Sequence, residues 1–420
     1  MRYDRTLQAS RRPGRAIWRC LGLIAALVLC ATGRGADEAP PPKASRGVLI
    51  RFEGPIGPML EHYLYRKLDE ARKYGADLVV VEIESPGGFV DSSLNVATRL
   101  DEVGWAHCVA WVPREALSGA AFVALGCQEI VMAPDAAMGD AGPIYMDEDF
   151  LFRHAPEKIR THLARVMRDL AEARGRPPAL AEAMVNMDLV VYKVENRRTG
   201  DVTYMSDEEI ESHEERDDWE KLGPVHESRQ GHFLEVNGAR AVELGLADGN
   251  VSGLADLEAR YQVADGLMLL EPTVVDTAVY VLNWPIVTGL LLIVGLVAIY
   301  FELNIPGIGL GALIAFLCFA LFFWSRFLGG TAGWLEVVLF ISGAVFLAME
   351  LFVIPGFGVA GVTGILLLLG SLVLAGQNFI VPTTGGEAVV FGRTLMVVGV
   401  SATVFVLMAA LLSVYMGTIP

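Results

Sequence analysis

Ser118 opens the apolar run Gly119-Ala120-Ala121-Phe122-Val123-Ala124-Leu125. That run reads as a helix, so the hydroxyl stands at the positive helix end, and Gly119 leaves room for a substrate to approach. The same position also suits a plain N-cap serine. A second strand-to-helix junction carries Ser85-Pro86-Gly87-Gly88. Backbone N–H groups free of side chains there can face a ligand oxygen, as an oxyanion hole requires, although any buried strand can end this way. A serine nucleophile needs a base, either a His–Asp pair or a buried lysine. Downstream of Ser118 the first histidine is His154, and Lys158 is the only lysine between Lys73 and Lys193. A lysine titrating near 10.4 must drop by ~3 units, about 4 kcal/mol, to act as a base near pH 7. Burial in an apolar cleft supplies such a shift. A solvated lysine in the first turn of a helix fits the spacing equally well.

These residues need a rigid frame, and the surrounding pattern provides one. Val48–Phe52 begins a strand, and Leu60, Leu64, Leu68 and Ala71 share one face of a helix running to Tyr74. Leu78-Val79-Val80-Val81-Glu82-Ile83 is the near-continuous apolar run of a strand buried on both sides. A helix follows Gly88 to about Val103, then a strand over Cys108–Val112, the Ser118 helix, and a strand over Glu129–Met132. Strand and helix alternate, which predicts an α/β domain over residues 47–270.

Hydrophobic residues make up 53% of the 420 and charged ones 20%, which excludes both a disordered chain and an ordinary soluble globule. Residues 1–36 carry a net charge of +6 and residues 281–420 a net −2, so the −16 total leaves −20 on residues 37–280. The acidic body leaves no basic face for a nucleic-acid backbone. Six arginines precede an uncharged stretch from Cys20 to Gly33. As a helix it rises about 21 Å, short of the ~30 Å hydrocarbon core, which points to a signal peptide over residues 1–36 rather than a span. Residues 37–46 read as a Pro-rich linker. Thr277–Phe301, Leu303–Ser325, Trp334–Ile354, Phe357–Gly376 and Thr394–Met416 predict about five membrane spans within residues 277–420. Trp284, Trp324 and Trp334 lie near span ends, as interfacial aromatics do. Glu302-Leu303-Asn304-Ile305-Pro306-Gly307 recurs as Glu350-Leu351-Phe352-Val353-Ile354-Pro355-Gly356, so either a duplicated two-helix unit or two convergent turns is present. An exported body with five spans leaves Arg326 and Arg393 in extracytoplasmic loops, against the positive-inside tendency; the Arg-rich N-terminus is the stronger signal for an extracytoplasmic body.

The ordered set Glu84-Ser85-Pro86-Gly87-Gly88, Ala116-Leu117-Ser118-Gly119-Ala120-Ala121, Val131-Met132-Ala133-Pro134 and Met138-Gly139 resembles the NfeD family, membrane-bound ClpP-class serine proteases also called stomatin operon partners. Ala155-Pro156-Glu157-Lys158 and Leu170–Arg176 are similar to the family's segment around its catalytic lysine. The resemblance implies a ClpP/crotonase-like domain, with Ser118 as nucleophile and Lys158 as general base. It puts the oxyanion hole on the Gly87–Gly88 backbone together with the Gly119 N–H. It implies a stomatin- or prohibitin-like membrane partner, a protein or peptide substrate, a homo-oligomer and no cofactor. Leu244-Gly245-Leu246-Ala247-Asp248 resembles the family's closing strand. Three features depart from the pattern. Asp140 follows Met138-Gly139, residues 190–235 form an insertion with a hairpin around Thr199-Gly200-Asp201 and an acidic run expected to be a solvated helix, and the family's C-terminal OB barrel is not expected. His213, His226 and His232 lack ligand spacing, so no metal is expected.

The expected activity is that of a membrane-anchored serine endopeptidase acting on apolar, membrane-proximal protein segments, in the cell membrane. The alternatives are a non-catalytic scaffold that partners a stomatin-like protein, and a crotonase-like acyl-thioester enzyme, which would need a second carboxylate near Gly88. Cys108 and Cys127 flank the Ser118 helix on two successive strands. If those strands are parallel neighbours, the two cysteines sit at one sheet edge and can form a disulfide; two buried thiols are the alternative.

Overall fold

The computed structural model describes residues 44–146, 152–263, 265–304, 309–352, 358–382 and 384–417. The expected signal peptide, most of the linker and both Pro-Gly turns of the repeat lie outside the described residues.

Strands β1 (Gly47–Glu53), β2 (Leu78–Glu84), β3 (His107–Val112), β4 (Glu115–Leu117), β5 (Glu129–Met132) and β6 (Ala137–Gly139) carry the body, with helices α1 (Pro58–Tyr74), α2 (Val90–Asp101), α3 (Gly119–Leu125) and α4 (Glu157–Glu172). The main sheet has six parallel strands in the order Gly249–Asn250, β5, β3, β2, β1, Met268–Leu269. Both of its faces are covered, which is why β2 reads as a continuous apolar run. Val79, Val81 and Ile83 pack into the larger core with Leu64, Leu100, Phe122 and Met167 from the four helices. Leu78 and Val80 point the other way, against Leu257 and Tyr261. Each such fully buried aliphatic side chain contributes about 1.5–3 kcal/mol. A smaller sheet, Glu235–Asn237, β6, β4, stands beside the main one.

The insertion forms a three-stranded antiparallel sheet of Val202–Ser206, Val191–Asn196 and Trp219–Pro224. Its acidic run is only partly a solvated helix. Asp207–Ser212 forms a short helix with a Ser206/Glu209 capping box, and Glu209 pairs with Arg168 of α4 at 2.7 Å. The segment expected as a closing strand is instead a turn after the helix Gly238–Glu243, and the strand is only Gly249–Asn250. Gly245, at φ 73°, ends that helix and prevents an extended run from starting earlier.

Among the described residues, four helices are long and apolar enough to cross a membrane: Pro285–Asn304, Leu310–Leu328, Trp334–Phe352 and Gly385–Gly417. Val359–Leu374 has 16 residues and rises about 24 Å, less than the others. The expected first span from Thr277 starts at Pro285 instead, because a separate helix, Val274–Leu282, ends just before it. The two-helix echo holds in three dimensions. The Glu302 carboxylate accepts N–H bonds from Gly311 at 3.0 Å and Ala312 at 3.4 Å, capping the next helix. The Glu350 carboxylate does the same for Gly358, and for Gly361 at 3.2 Å. A charge-assisted cap in the same place in both hairpins supports duplication over convergent turns.

Helix α1 fastens the body to the membrane domain. Arg66 donates to Asp276 Oδ1 at 2.8 Å and to the Leu328 carbonyl at 2.7 Å. Lys67, fully buried, reaches Asp276 Oδ2 at 3.4 Å and the Glu271 carbonyl at 2.6 Å. Burial alone would raise the Asp276 carboxyl, but hydrogen bonds from Thr273 and Arg66 outweigh it, so the group titrates below the usual 3.8. A lowered folded-state pKa means this contribution is present at neutral pH and is lost as the pH falls through that lowered value. Asp276→Asn should cost roughly 3 kcal/mol at this joint, because it removes the carboxylate that Arg66 and Lys67 share and leaves Lys67 only the Glu70 carboxylate, at 2.9 Å. Hydrogen exchange of residues 272–284 at pH 7 should then speed by about 100-fold while β2 and β3 stay protected.

Candidate active site

β2 does not stop at Glu84. Ser85 bridges to Ala116 of β4, with Ser85 N–H donating to the Glu115 carbonyl and Leu117 N–H to the Ser85 carbonyl, both at 3.0 Å. On the other side Ile56 bridges to Gly88, with Ile56 N–H donating to the Gly87 carbonyl at 2.9 Å and Phe89 N–H to the Ile56 carbonyl at 2.8 Å. The two glycines are thus held in a fixed segment before α2. The Gly87 N–H is already engaged, donating to the buried Ser85 hydroxyl at 3.1 Å.

β4 delivers Ser118 against this segment. Ser118 has φ 53° and ψ −124°, a conformation that costs a non-glycine residue about 1–3 kcal/mol. It is held by its own N–H, which donates to the Gly139 carbonyl of β6 at 2.9 Å. The Ser118 side chain makes no capping bond to α3, so the plain N-cap role is not the one it plays. Gly87, at φ 93°, lies flat against it: a methyl group there would sit 2.5 Å from Ser118 Cβ and 2.9 Å from Gly119 N. A methyl group on Gly119 would lie 3.5 Å from Gly88 N and 2.1 Å from the Ser93 hydroxyl. The N–H groups of Gly88 and Gly119 therefore lie close together beside Ser118, and neither has a backbone acceptor among the described residues. Ser85 and Ser93 support this geometry and were not singled out from the sequence; only their places flanking Gly87-Gly88 hinted at them. Asp140 also takes a positive φ of 41°, directly after the carbonyl that holds Ser118. Aspartate tolerates that region better than most residues.

Lys158 stands in the first turn of α4, exposed, with no hydrogen bond or ion pair among the described residues. The structure does not bring it into a bond with Ser118. His154 is also exposed, and its ring meets the edge of Phe233 at 5.3 Å. Cys108 on β3 and Cys127, in the turn just before its parallel neighbour β5, are fully buried and unbridged in the structure, with sulfurs 3.6 Å apart. Contact with Cys127 and burial together push the Cys108 thiol well up.

Parallel strands, their crossovers and a strained serine at the β3–β5 connection make the body a parallel α/β domain, carried by a multi-pass helical membrane domain. Two family models match the chain, the NfeD1b N-terminal domain over residues 48–215 and the NfeD integral membrane domain over residues 286–414. The chain belongs to the NfeD family. The membrane protein NfeD1b of Bacillus subtilis is 28% identical over 366 residues, 87% of this chain and 73% of the relative. The membrane-bound protease PH1510 of Pyrococcus horikoshii is 24% identical over 339 residues, 78% of this chain and 69% of the relative. Among solved structures, a stomatin-specific membrane-bound protease, as a lysine-to-alanine mutant in complex with a substrate peptide, is 17% identical with a TM-score of 0.41, over 57% of this chain and 100% of that one.

The close approach of Gly87 to Ser118 separates two costs. Gly54 has a similar φ of 90° but open space around its Cα, whereas Gly87 meets Ser118. Gly54→Ala should cost about 1 kcal/mol from backbone conformation alone, and Gly87→Ala about 1–2 kcal/mol more. Thermal unfolding of the two variants in matched detergent checks the difference.

Proposed function

We propose that the protein is a membrane-anchored serine endopeptidase with Ser118 as nucleophile and Lys158 as general base. The observation that carries this reading is Ser118, strained and uncapped, beside the N–H groups of Gly88 and Gly119, neither of which has a backbone acceptor among the described residues. In the reaction Ser118 Oγ gives its proton to Lys158 Nζ and attacks the substrate carbonyl carbon. The developing oxyanion is received by the Gly88 and Gly119 N–H groups, each donor being worth about 3 kcal/mol in such sites. Lys158 then protonates the leaving amine, and water releases the acyl group from Ser118. Gly87 contributes by being small, since its own N–H is bonded to Ser85. Catalytic pairs are often loose without substrate and tighten in the complex, so an exposed Lys158 on a short first turn is free to swing in.

The relative described as a membrane-bound protease supports this reading, and the stomatin specificity of its solved neighbours makes a stomatin- or prohibitin-like membrane protein the proposed partner. Apolar, membrane-proximal protein segments are the proposed substrates, because the membrane domain holds the body at the bilayer. A homo-oligomer in the cell membrane, with a cleaved signal peptide and an extracytoplasmic body, completes the proposal. One observation favours the scaffold alternative: Lys158 makes no bond to Ser118.

Hydrolysis of an apolar peptide by the full-length protein in detergent separates the two readings. Ser118→Ala and Lys158→Ala should each lose at least 100-fold in turnover while keeping the wild-type melting temperature. Activity retained in Lys158→Ala would remove the lysine from the mechanism, and none in the wild type would leave the scaffold.

The extracytoplasmic placement has its own check. Disulfides persist outside the cytoplasm, and a Cys108–Cys127 bridge would close a loop of about 20 residues, worth ~3 kcal/mol, around Ser118. Protein purified from membranes and alkylated under denaturing conditions should keep both cysteines unmodified until reductant is added. Two alkylated thiols without reductant would contradict the bridge.

A further inference from the structure

A cavity of about 980 Å³ lies where the body meets the membrane helices. Its lining is divided by chemistry. Arg326, Arg393, Thr288 and Gln377 stand at the body-side ends of the membrane helices, while Phe322, Leu372 and Val397 line the apolar part. Arg326 donates to the Thr288 hydroxyl at 2.9 Å, but its Nε is buried without a partner. Arg393 has no hydrogen bond or ion pair among the described residues. Asp276 also lines the cavity, yet its charge is already answered by Arg66 at 2.8 Å and Lys67 at 3.4 Å. Glu53 stands at the solvent side, 3.8 Å from Arg51. Among the described residues, two arginines in one cavity thus lack a counter-charge, at the ends of the membrane helices. Gln377, 3% exposed, has an Oε1 with no donor, although its amide nitrogen is bonded to the Phe379 carbonyl. A buried guanidinium nitrogen and a buried amide oxygen left unpaired are costly, and a ligand that satisfies both would repay that cost.

We propose that this cavity binds an anionic phospholipid of the phosphoglycerol type. The phosphate diester meets Arg326 and Arg393, a headgroup hydroxyl donates to Gln377 Oε1, and an acyl chain runs along Phe322, Leu372 and Val397. A choline headgroup brings a phosphate but also a cation and no hydroxyl donor, so it fits less well. This site stands apart from Ser118, and its assignment does not rest on the peptidase reading.

Native mass spectrometry of the full-length protein in detergent, titrated with phosphatidylglycerol or phosphatidylcholine, tests the proposal. Two arginines at about 1 kcal/mol each predict phosphatidylglycerol bound about 30-fold more tightly than phosphatidylcholine. The Arg326→Gln/Arg393→Gln variant should lose that preference, and Arg197→Gln, on the far surface of the insertion, should keep it. Should the double variant fail to fold, Arg393→Gln alone, which breaks no bond, should lose about fivefold. Gln377→Leu should erase any preference for phosphatidylglycerol over phosphatidic acid, which lacks the hydroxyls. Equal binding of the two lipids by the wild type, or a preference that survives Arg393→Gln, would overturn the assignment. Inorganic phosphate displacing phosphatidylglycerol at equal concentration would overturn the lipid source and leave a free-phosphate site.

Discussion

The contact between Gly87 and Ser118 is the constraint on which the rest of the body depends. Ser118 can hold φ 53° only because the chain on both sides is pinned, by the Gly139 carbonyl through its own N–H and by the pairing of β4 with β6 before it. Gly87 can lie against it only because Ser85 and Ile56 fix the segment from both edges. Neither side of that contact is local in sequence. The parallel sheet supplies the rigidity, and its fully buried strands give it the packing density that keeps two backbone segments within van der Waals contact without a side chain between them.

Much of this was legible in the residues. The continuous apolar run of β2 announced a sheet covered on both faces, and alternating elements announced parallel pairing. Pro-Gly-Gly and a serine before an apolar helix marked both halves of the site. The proposed oxyanion hole was less legible, because it depends on which N–H groups are already used. Gly87 looks like a donor in the sequence, yet Ser85 occupies its N–H, and among the described residues only Gly88 and Gly119 of the three have an N–H without a backbone acceptor. The closing strand was misread because Leu244–Asp248 is apolar enough for a strand, while Gly245 with a positive φ turns the chain first. The burial needed to activate Lys158 was an expectation that spacing could not decide. In the structure the side chain is in solvent.

The membrane domain shows the same economy. Glu302 and Glu350 each cap the helix that follows a Pro-Gly motif, so one device is used twice to close a hairpin. Both glutamates lie at the end away from the body, whereas Arg326 and Arg393 lie at the body-side end, beside Trp284. The two arginines thus share one place, where the proposed anionic headgroup would give them a local role. The Arg66–Asp276–Lys67 cluster joins that end of the bundle to α1, so the body is held at the bilayer by buried ion pairs rather than by a flexible linker.

Covalent labelling of the full-length protein by a fluorophosphonate tests most directly whether this geometry makes Ser118 a nucleophile. The account predicts one adduct per chain, mapped by peptide mass to Ser118, absent in Ser118→Ala and strongly slowed in Gly87→Ala. No adduct on the folded wild type, or an adduct on another serine that survives Ser118→Ala, would contradict it.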